Sequence, residues 1–329
     1  MEYRKRRTMV WLLMASLASC IGTTSLQAHA QAKTTQIVVP YAPGGTTDIL
    51  GRILAEKLPP AMGPVIVENR PGAGTALGAG FVARSPADGK TLLMATSTTL
   101  AVNPWLYKKL IYNPAKDFVG VAEVAEVPLA LVVHPSVDAK TVAELIKLAK
   151  DKAGDLNYAS AGNGSPHHLV AEMFKSAADI KLMHVAYKGS SPALTDVVAG
   201  HIPMMFTDIA PALPFIQSNR LRVLAVTSST RVSALPGVPT IAESKIVGLK
   251  NFEGVAWQGV VAPAGTPQPV VDKLSAEIVK IMSLPEVKAK LEKDGVVIRT
   301  RTSGQFGEYI ASELHRWESV VKSSGATLD

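Results

Sequence analysis

Short apolar runs alternate with amphipathic stretches along most of this chain. An apolar run ending at Val39 precedes a Pro/Gly turn, after which apolar residues recur with helical spacing over residues 49–58. Strands are predicted next at residues 65–69 and 91–95, on either side of a helix of small residues at 73–84. This alternation favours an α/β fold, in which helices cover mostly parallel sheets and binding loops follow the strands.

The same alternation starts again beyond residue 128. A capping box at Thr141 and Glu144 opens a helix that ends near residue 152, and Ser303 is the expected cap of a long C-terminal helix reaching residue 322. Further strands are predicted at 129–134, 157–160, 183–186, 203–206, 223–227 and 255–262, and further helices at 166–177, 192–199, 211–217, 270–282 and 286–293. No Gly/Ser-rich linker divides the halves, so we expect one lobe (135–253) to be inserted into the other (31–134 with 254–329).

The first 30 residues have the features of a secretory signal peptide. Four basic residues at positions 4–7 precede an apolar run at 9–21, and Ala-His-Ala at 28–30 offers a cleavage site. The alternative is a lipoprotein-type box that would leave Cys20 lipidated at the new N-terminus. We therefore expect export to the periplasm. Cleavage after residue 30 removes the chain's one cysteine, so the exported protein forms no disulfide.

The charge of the chain argues against a nucleic-acid partner. The formal net charge is +7, but four basic residues and Glu2 lie in the predicted signal, so the exported part keeps +4. Its Lys and Arg residues are scattered, without the basic runs and interleaved aromatics of nucleic-acid-binding proteins. A mild positive field instead attracts small anions.

Two strand-to-helix junctions have the features of anion-binding sites. Glycines allow a close backbone approach, Thr46, Thr47 or Asp48 can cap the first helix, and free N–H groups at a helix start carry partial positive charge. In the second junction Ser165 is the expected N-cap and Pro166 the first helical residue. The alternative at the first junction is a purely structural turn, and at the second an ordinary capped helix. The predicted binding residues are Tyr41, Pro43, Gly44, Gly45, Thr46, Thr47 and Asp48 in the first junction, and Ser160, Ala161, Gly162, Gly164, Ser165, Pro166 and His168 in the second.

Other strand ends offer further candidate contacts. Adjacent helical side chains point about 100° apart, so only one of His167 and His168 can face a shared cleft. The remaining candidates are Asn69, Gly72 and Gly74 as a third wall or a tight turn, Ser97 and Thr98 as hydroxyl donors to ligand or water, Tyr187 as a hydroxyl contact, and Asp208 as a partner for a ligand ammonium or hydroxyl or as a turn residue.

Enzyme motifs are not found. The chain has neither G-x-G-x-x-G nor a P-loop, Ser165 lacks the G-x-S-x-G elbow, and the histidines have no zinc-site spacing. His168 and Glu172 are one turn apart, but two ligands do not make a metal site. We therefore expect no catalytic residue, no metal and no cofactor.

Five motifs in order resemble the periplasmic solute-binding receptors of tripartite tricarboxylate transporters, the Bug-type receptors. They are Pro-Gly-Gly-Thr-Thr-Asp at 43–48, Asn-Arg-Pro-Gly-Ala-Gly at 69–74, Gly-Ser-Pro-His-His-Leu at 164–169, Tyr-Lys-Gly at 187–189 with Pro-Ala at 192–193, and Trp257 ahead of Ala-Pro-Ala-Gly-Thr-Pro at 262–267. The chain departs from the usual pattern at Ala42, where Pro is common, and at 167–168, where a His replaces a frequent Gly.

The resemblance implies a two-lobed fold of the periplasmic-binding-protein type (type II), closing on a carboxylic acid in the cleft. It also implies delivery of that acid to membrane permease subunits, and we expect a monomer. The acid itself stays open among dicarboxylates, tricarboxylates, aromatic acids and amino acids. Two alternatives remain, a ligand sensor that signals to a membrane partner and a secreted hydrolase that uses Ser165 with His167 or His168.

Overall fold

The computed structural model describes residues 34–152 and 154–324, in which ten strands form one continuous sheet. The strands are β1 Thr35–Val39, β2 Val65–Asn69, β3 Thr91–Thr96, β4 Phe118–Val133, β5 Asn157–Ser160, β6 Met183–Ala186, β7 Met204–Asp208, β8 Arg222–Val226, β9 Val255–Pro263 and β10 Val297–Arg301. The predicted signal peptide, its cleavage site and the alternative at Cys20 lie outside the described residues.

The described residues form twelve α-helices. They are α1 Thr46–Lys57, α2 Pro59–Met62, α3 Ala76–Ala83, α4 Asn103–Leu106, α5 Pro114–Asp117, α6 Val142–Asp151, α7 Pro166–Ala178, α8 Ser190–Val198, α9 Ile209–Gln217, α10 Gln268–Ser283, α11 Pro285–Lys293 and α12 Ser303–Ser324. Within residues 34–152 and 154–324, no helix is both long and apolar enough to cross a membrane.

The long strand β4 divides the sheet into two parts. Its first part pairs with β9 and β10, and its second part pairs with β7 and β8, with the change of partner between Pro128 and Leu129. We call lobe 1 the elements packed on β1, β2, β3, β9, β10 and the first part of β4, and lobe 2 those packed on β5 to β8 and the second part. The lobe boundaries expected at 134/135 and 253/254 stay a prediction.

Each lobe combines parallel and antiparallel pairs. In lobe 1, β1 lies parallel between β2 and β3, and in lobe 2, β5 lies parallel between β6 and β7. The strands β4 and β9 run antiparallel to their partners. The carboxyl ends of β1 and β5, each followed by a helix, are where an α/β sheet places its binding loops.

Two strand predictions need correction. The pattern predicts a strand only at 129–134, whereas β4 begins at Phe118, because nearly all of its second half and much of its first half are buried on both faces and show no alternation. The second case is β10, which sequence reasoning missed. Most of its residues are exposed or half-buried, and it is held by non-local pairing with β4.

Helix caps differ from prediction at two of the places considered. Thr141 does accept the Glu144 N–H, as predicted. The predicted cap at Ser303 is wrong by one residue, because the Phe306 N–H bonds to the Thr302 carbonyl and the Ser303 hydroxyl instead donates to Gly120. The predicted apolar face of α12 is confirmed, since Phe306, Ile310, Leu314, Trp317 and Val321 are buried or half-buried.

The start of α1 also differs from prediction. Gly45 is extended (φ −81°, ψ 170°) and occupies the N-cap position without a side-chain cap, so none of Thr46, Thr47 and Asp48 is the cap. Asp48 lies in the first turn of the helix, and its carboxylate accepts the Gly44 N–H at 3.0 Å. In usual N-capping, a side chain before the helix accepts an N–H from its first turn. Here a side chain in the first turn accepts an N–H from before the helix, and the helix start stays open toward lobe 2.

Candidate functional site

A small cavity lies between the lobes at the carboxyl ends of β1 and β5. Its volume is about 20 Å³, which is room for about one water molecule. Both predicted junctions contribute to its wall. The lining residues are Tyr41, Gly45, Thr47, Thr96, Ala161, Pro166, His167, Ser190, Asp208, Ala256 and Gln258.

The first junction presents the start of α1 to this cavity. The N–H of Thr46 donates to Oδ2 of Asp208 at 3.3 Å, and no acceptor for the N–H groups of Thr47 and Asp48 occurs among the described residues. The Asp48 carboxylate is held by Arg52 at 2.8 Å and by the Asn69 amide at 2.9 Å. These bonds fix the turn so that the positive end of the helix dipole points at the cavity.

Buried polar atoms at or beside the cavity lack partners. Within residues 34–152 and 154–324 they are Oγ1 of Thr46, Nδ1 of His167 and Oε1 of Gln258, in residues no more than 6% exposed. Nε2 of His167 lies 3.3 Å from Oδ1 of Asp208, but without hydrogen-bond geometry. A buried polar group without a partner costs about 1–3 kcal/mol, so these atoms mark a place where a polar ligand or water is favourable.

Burial changes the acidity of two groups at the cavity. It raises the pKa of Tyr41 to about 12, with the Asp208 charge acting in the same direction, so the phenol stays protonated and bonds to Thr96. Burial also acts to raise the pKa of Asp208, but the His167 charge, the Ser190 hydroxyl and the Thr46 N–H outweigh it and hold that pKa below its usual value. Asp208 is therefore an ionised carboxylate at neutral pH.

The second junction is largely occupied by its own hydrogen bonds. The Ser165 hydroxyl accepts the His168 N–H at 3.4 Å, which confirms Ser165 as the N-cap of α7. The Gly162 N–H bonds to the Ser160 hydroxyl, and the Gly164 N–H bonds to Nδ1 of His168. The second junction thus offers the cavity Ala161, Pro166 and His167 rather than a row of free N–H groups.

His168 lies away from the cavity. Its ring stacks on His184 at a centroid distance of 4.1 Å, and His184 stacks on Tyr158 at 5.0 Å. His168 also borders a groove of about 990 Å³ beside Glu172 and Trp317. That groove is larger than the interlobe cavity, but it is bordered by exposed residues such as Val247, whereas the residues lining the interlobe cavity are all buried. We therefore place the candidate site at the interlobe cavity, which His167 rather than His168 lines.

The remaining predicted residues surround the cavity at different distances. Thr98 reaches across the cleft, donating its hydroxyl to the Gly164 carbonyl at 2.8 Å. Gly74 (φ +54°) packs so closely on lobe 2 that an added Cβ would lie 2.8 Å from the Asn163 carbonyl oxygen. The predicted residues that do not line the cavity also include Pro43, Gly44, Thr46, Asp48, Asn69, Gly72, Ser97, Ser160, Gly162, Gly164 and Ser165. The Tyr187 hydroxyl donates to Asp196.

Sequence reasoning missed four lining residues and left a fifth, His167, open as an alternative to His168. The four are Thr96, Ser190, Ala256 and Gln258. Alternation along β9 gives a signal for two of them, because Trp257 is buried in the opposite direction and so directs Ala256 and Gln258 to the cleft. Ser190 follows a glycine at a helix start, which is the same signal that identified Thr46 and Thr47.

Known proteins share this architecture. Residues 50–326 match the model of the tripartite tricarboxylate transporter family receptor. The chain is 35% identical to protein BugT of Bordetella pertussis over 323 residues, covering 96% of this chain and 98% of the relative. Rpa4515 of R. palustris, solved with adipate, superposes with a TM-score of 0.85 at 33% identity, covering 90% of this chain and 98% of its own.

A second solved structure gives the same result. MatC from Rhodopseudomonas palustris, solved with bound malate, superposes with a TM-score of 0.82 at 31% identity, covering 88% of this chain and 98% of its own. The two-lobed fold and the family resemblance are thereby confirmed. The chain belongs to the receptor family of the tripartite tricarboxylate transporters, the Bug-type solute-binding proteins.

Proposed function

We propose that this protein captures a small carboxylic acid between its lobes in the periplasm and delivers it to the permease subunits of a tripartite tricarboxylate-type transporter. The observation that carries the proposal is the enclosed cavity, which meets the start of α1 and the unpartnered polar atoms of His167 and Gln258. A helix start favours an anion, and the N–H groups of Thr47 and Asp48 are the available donors.

The size of the cavity implies movement. Ligand pockets typically span about 300–1,000 Å³, whereas the cavity here holds about 20 Å³. An acid of four to six carbons therefore enters only when the lobes separate, and it is then enclosed as they close around it. Such closure is driven by the ligand's higher affinity for the closed state.

Titration calorimetry of the chain from residue 31 tests the proposal. Because two relatives were solved with malate and adipate, these acids come first in a panel that also holds tricarboxylates, aromatic acids and amino acids. We expect saturable binding of at least one acid at a stoichiometry of one. An acid at about 100 times its Kd adds about 2.7 kcal/mol of apparent stability, so a thermal-shift screen provides the first pass. No response to any acid would contradict the proposal.

Further measurements separate the remaining alternatives. A hydrolase would turn over ester or amide panels, whereas the Ser165 hydroxyl is here engaged by the His168 N–H. A sensor would change gene expression on deletion while leaving preformed permease active, whereas loss of a receptor abolishes uptake at once. Mass spectrometry of the exported protein distinguishes a start at Gln31 from a lipidated Cys20, and light scattering checks the expected monomer.

A further inference from the structure

Asp208 holds a position from which an aspartate usually caps its own helix. It is the N-cap residue of α9, yet its side chain makes no cap hydrogen bond there. Replacing an aspartate cap with alanine typically costs about 0.5–2 kcal/mol of stability. The start of α9 lacks this stabilisation. The carboxylate instead faces lobe 1.

The contacts of Asp208 join the two lobes. Oδ2 accepts the N–H of Thr46, at the start of α1 in lobe 1, at 3.3 Å, and the hydroxyl of Ser190, in lobe 2, at 2.8 Å. Oδ1 lies 3.3 Å from Nε2 of His167. Asp208 is 5% exposed. An ionised carboxylate of lobe 2 therefore neutralises the positive end of a lobe 1 helix when the lobes are together.

Two other hydrogen bonds cross the cleft nearby, and both are between neutral groups. The Ala42 N–H donates to the Lys188 carbonyl at 3.1 Å, and the Thr98 hydroxyl donates to the Gly164 carbonyl at 2.8 Å. Hydrogen bonds to charged groups are stronger than neutral ones. Of these three contacts, the one made by Asp208 is thus expected to contribute most to holding the lobes closed.

We propose that Asp208 is a positioning residue that stabilises the closed state by binding the N-terminus of α1 across the cleft, without needing to touch the ligand. The inference rests on the proposed function, and it assigns the regulation of that site. The Thr46 N–H then serves closure, while the N–H groups of Thr47 and Asp48 remain for the acid. Since affinity scales with the fraction of binding-competent protein, loss of this contact weakens every ligand by a similar factor.

The test compares Asp208→Asn and Asp208→Ala with wild type. The matched control is Asp151→Asn, which removes a carboxylate from an exposed lobe 2 pair with Lys147. With malate and adipate as probes, we expect the Kd to rise about 10-fold for Asp208→Asn and about 100-fold for Asp208→Ala, mostly through faster dissociation in stopped-flow measurements. The control stays within about 2-fold.

A ligand-free measurement keeps the inference separate from the proposed function. Small-angle scattering without acid should give a larger radius of gyration for Asp208→Asn than for wild type, whether or not either probe binds. Tighter binding by Asp208→Asn would show that Asp208 competes with the acid for α1, and unchanged Kd and scattering would show that it only shapes its turn. Either result overturns the inference. Wild type that binds no acid contradicts the proposed function instead.

Discussion

The substitution Gly45→Ala tests how closely the two lobes must approach each other for ligand binding. Its backbone (φ −81°, ψ 170°) suits any residue, so alanine introduces no conformational strain. A Cβ built at this position lies 2.7 Å from Oγ of Ser190, in the other lobe, and 3.6 Å from Oδ2 of Asp208. The second distance is an ordinary contact, so the Ser190 hydroxyl is the one group that has to move.

The magnitude follows from the hydrogen bond that this movement breaks. Oγ of Ser190 donates to Asp208 at 2.8 Å, and a hydrogen bond to a charged group contributes about 1.5–3 kcal/mol. In Gly45→Ala the lobes can close only by breaking the hydrogen bond between Ser190 and Asp208. If they stay apart instead, the closed state does not form. The Kd for the tightest-binding acid of the panel should therefore rise about 10- to 150-fold.

A double-mutant cycle isolates this cause. Ser190→Ala alone removes the same hydrogen bond, but that bond lies within lobe 2 and is lost from the open and the closed state alike. The Kd should therefore change by less than about 3-fold, because only a contact that differs between the two states shifts binding. The substitution also removes the obstructing oxygen. Gly45→Ala added to Ser190→Ala should then cost less than about 2-fold, which is strong non-additivity between residues in contact. Gly237→Ala is the control, because no atom outside its immediate chain neighbours lies within 4 Å of the added Cβ.

Calorimetry measures the four affinities, and urea unfolding measures stability in parallel. Alanine is a poor N-cap, so Gly45→Ala is expected to lower the free energy of unfolding by up to about 1 kcal/mol in either background. Strictly additive losses in affinity would mean that the Cβ acts on α1 rather than on Ser190. Wild-type affinity in Gly45→Ala would refute the close approach of the lobes during binding.

Two further predictions concern stability. Burial, and to a smaller extent the His168 charge, lower the pKa of His184 from 6.5 to about 4. The folded state therefore favours the neutral ring. The contribution of this ring to the stability of the fold is complete above pH 6.5 and is lost as the pH falls toward 4. This lowering of the pKa corresponds to at most about 3 kcal/mol of stability, reduced to about 1–2 kcal/mol because the ring is partly exposed. Urea unfolding at about pH 4.5 and about pH 7 should show a smaller loss of stability at the lower pH for His184→Gln than for wild type. Glu313 accepts the indole N–H groups of Trp257 and Trp317, so Glu313→Ala should cost about 2–4 kcal/mol in the same assay and Glu313→Gln less than about 1.5; equal losses would assign the effect to packing.

Local signals explain which elements were predicted from the sequence. Ser165 before Pro166 defines the start of α7, and the apolar run ending at Val39 defines the end of β1, because caps and burial patterns involve neighbouring residues. The first half of β4 and all of β10 depend on pairing between distant segments. Such pairing leaves little trace in a short window of sequence.

In the candidate site, too, some features follow from local sequence signals and others depend on contacts between distant segments. The turn before α1 was identified because glycines beside a helix start have a physical reason to bind anions. The meeting of Thr46 with Asp208, 162 residues apart, depends on how the lobes face each other. The choice between His167 and His168 depends on the rotation of α7 about its axis, which adjacent positions in a sequence leave open.

Residues that hold the lobes together should control the overall affinity for acids, whereas residues that only line the cavity should control the selectivity among them. Asp208 and Thr98 make hydrogen bonds across the cleft, so changing either of them should shift the Kd of all acids together. Thr47 and Gln258 line the cavity but, among the residues that the structure describes, make no hydrogen bond across the cleft, so changing them should alter the order of preference among acids. A panel titrated against one variant of each kind distinguishes these effects, because closure multiplies every affinity by the same factor whereas a lining contact does not.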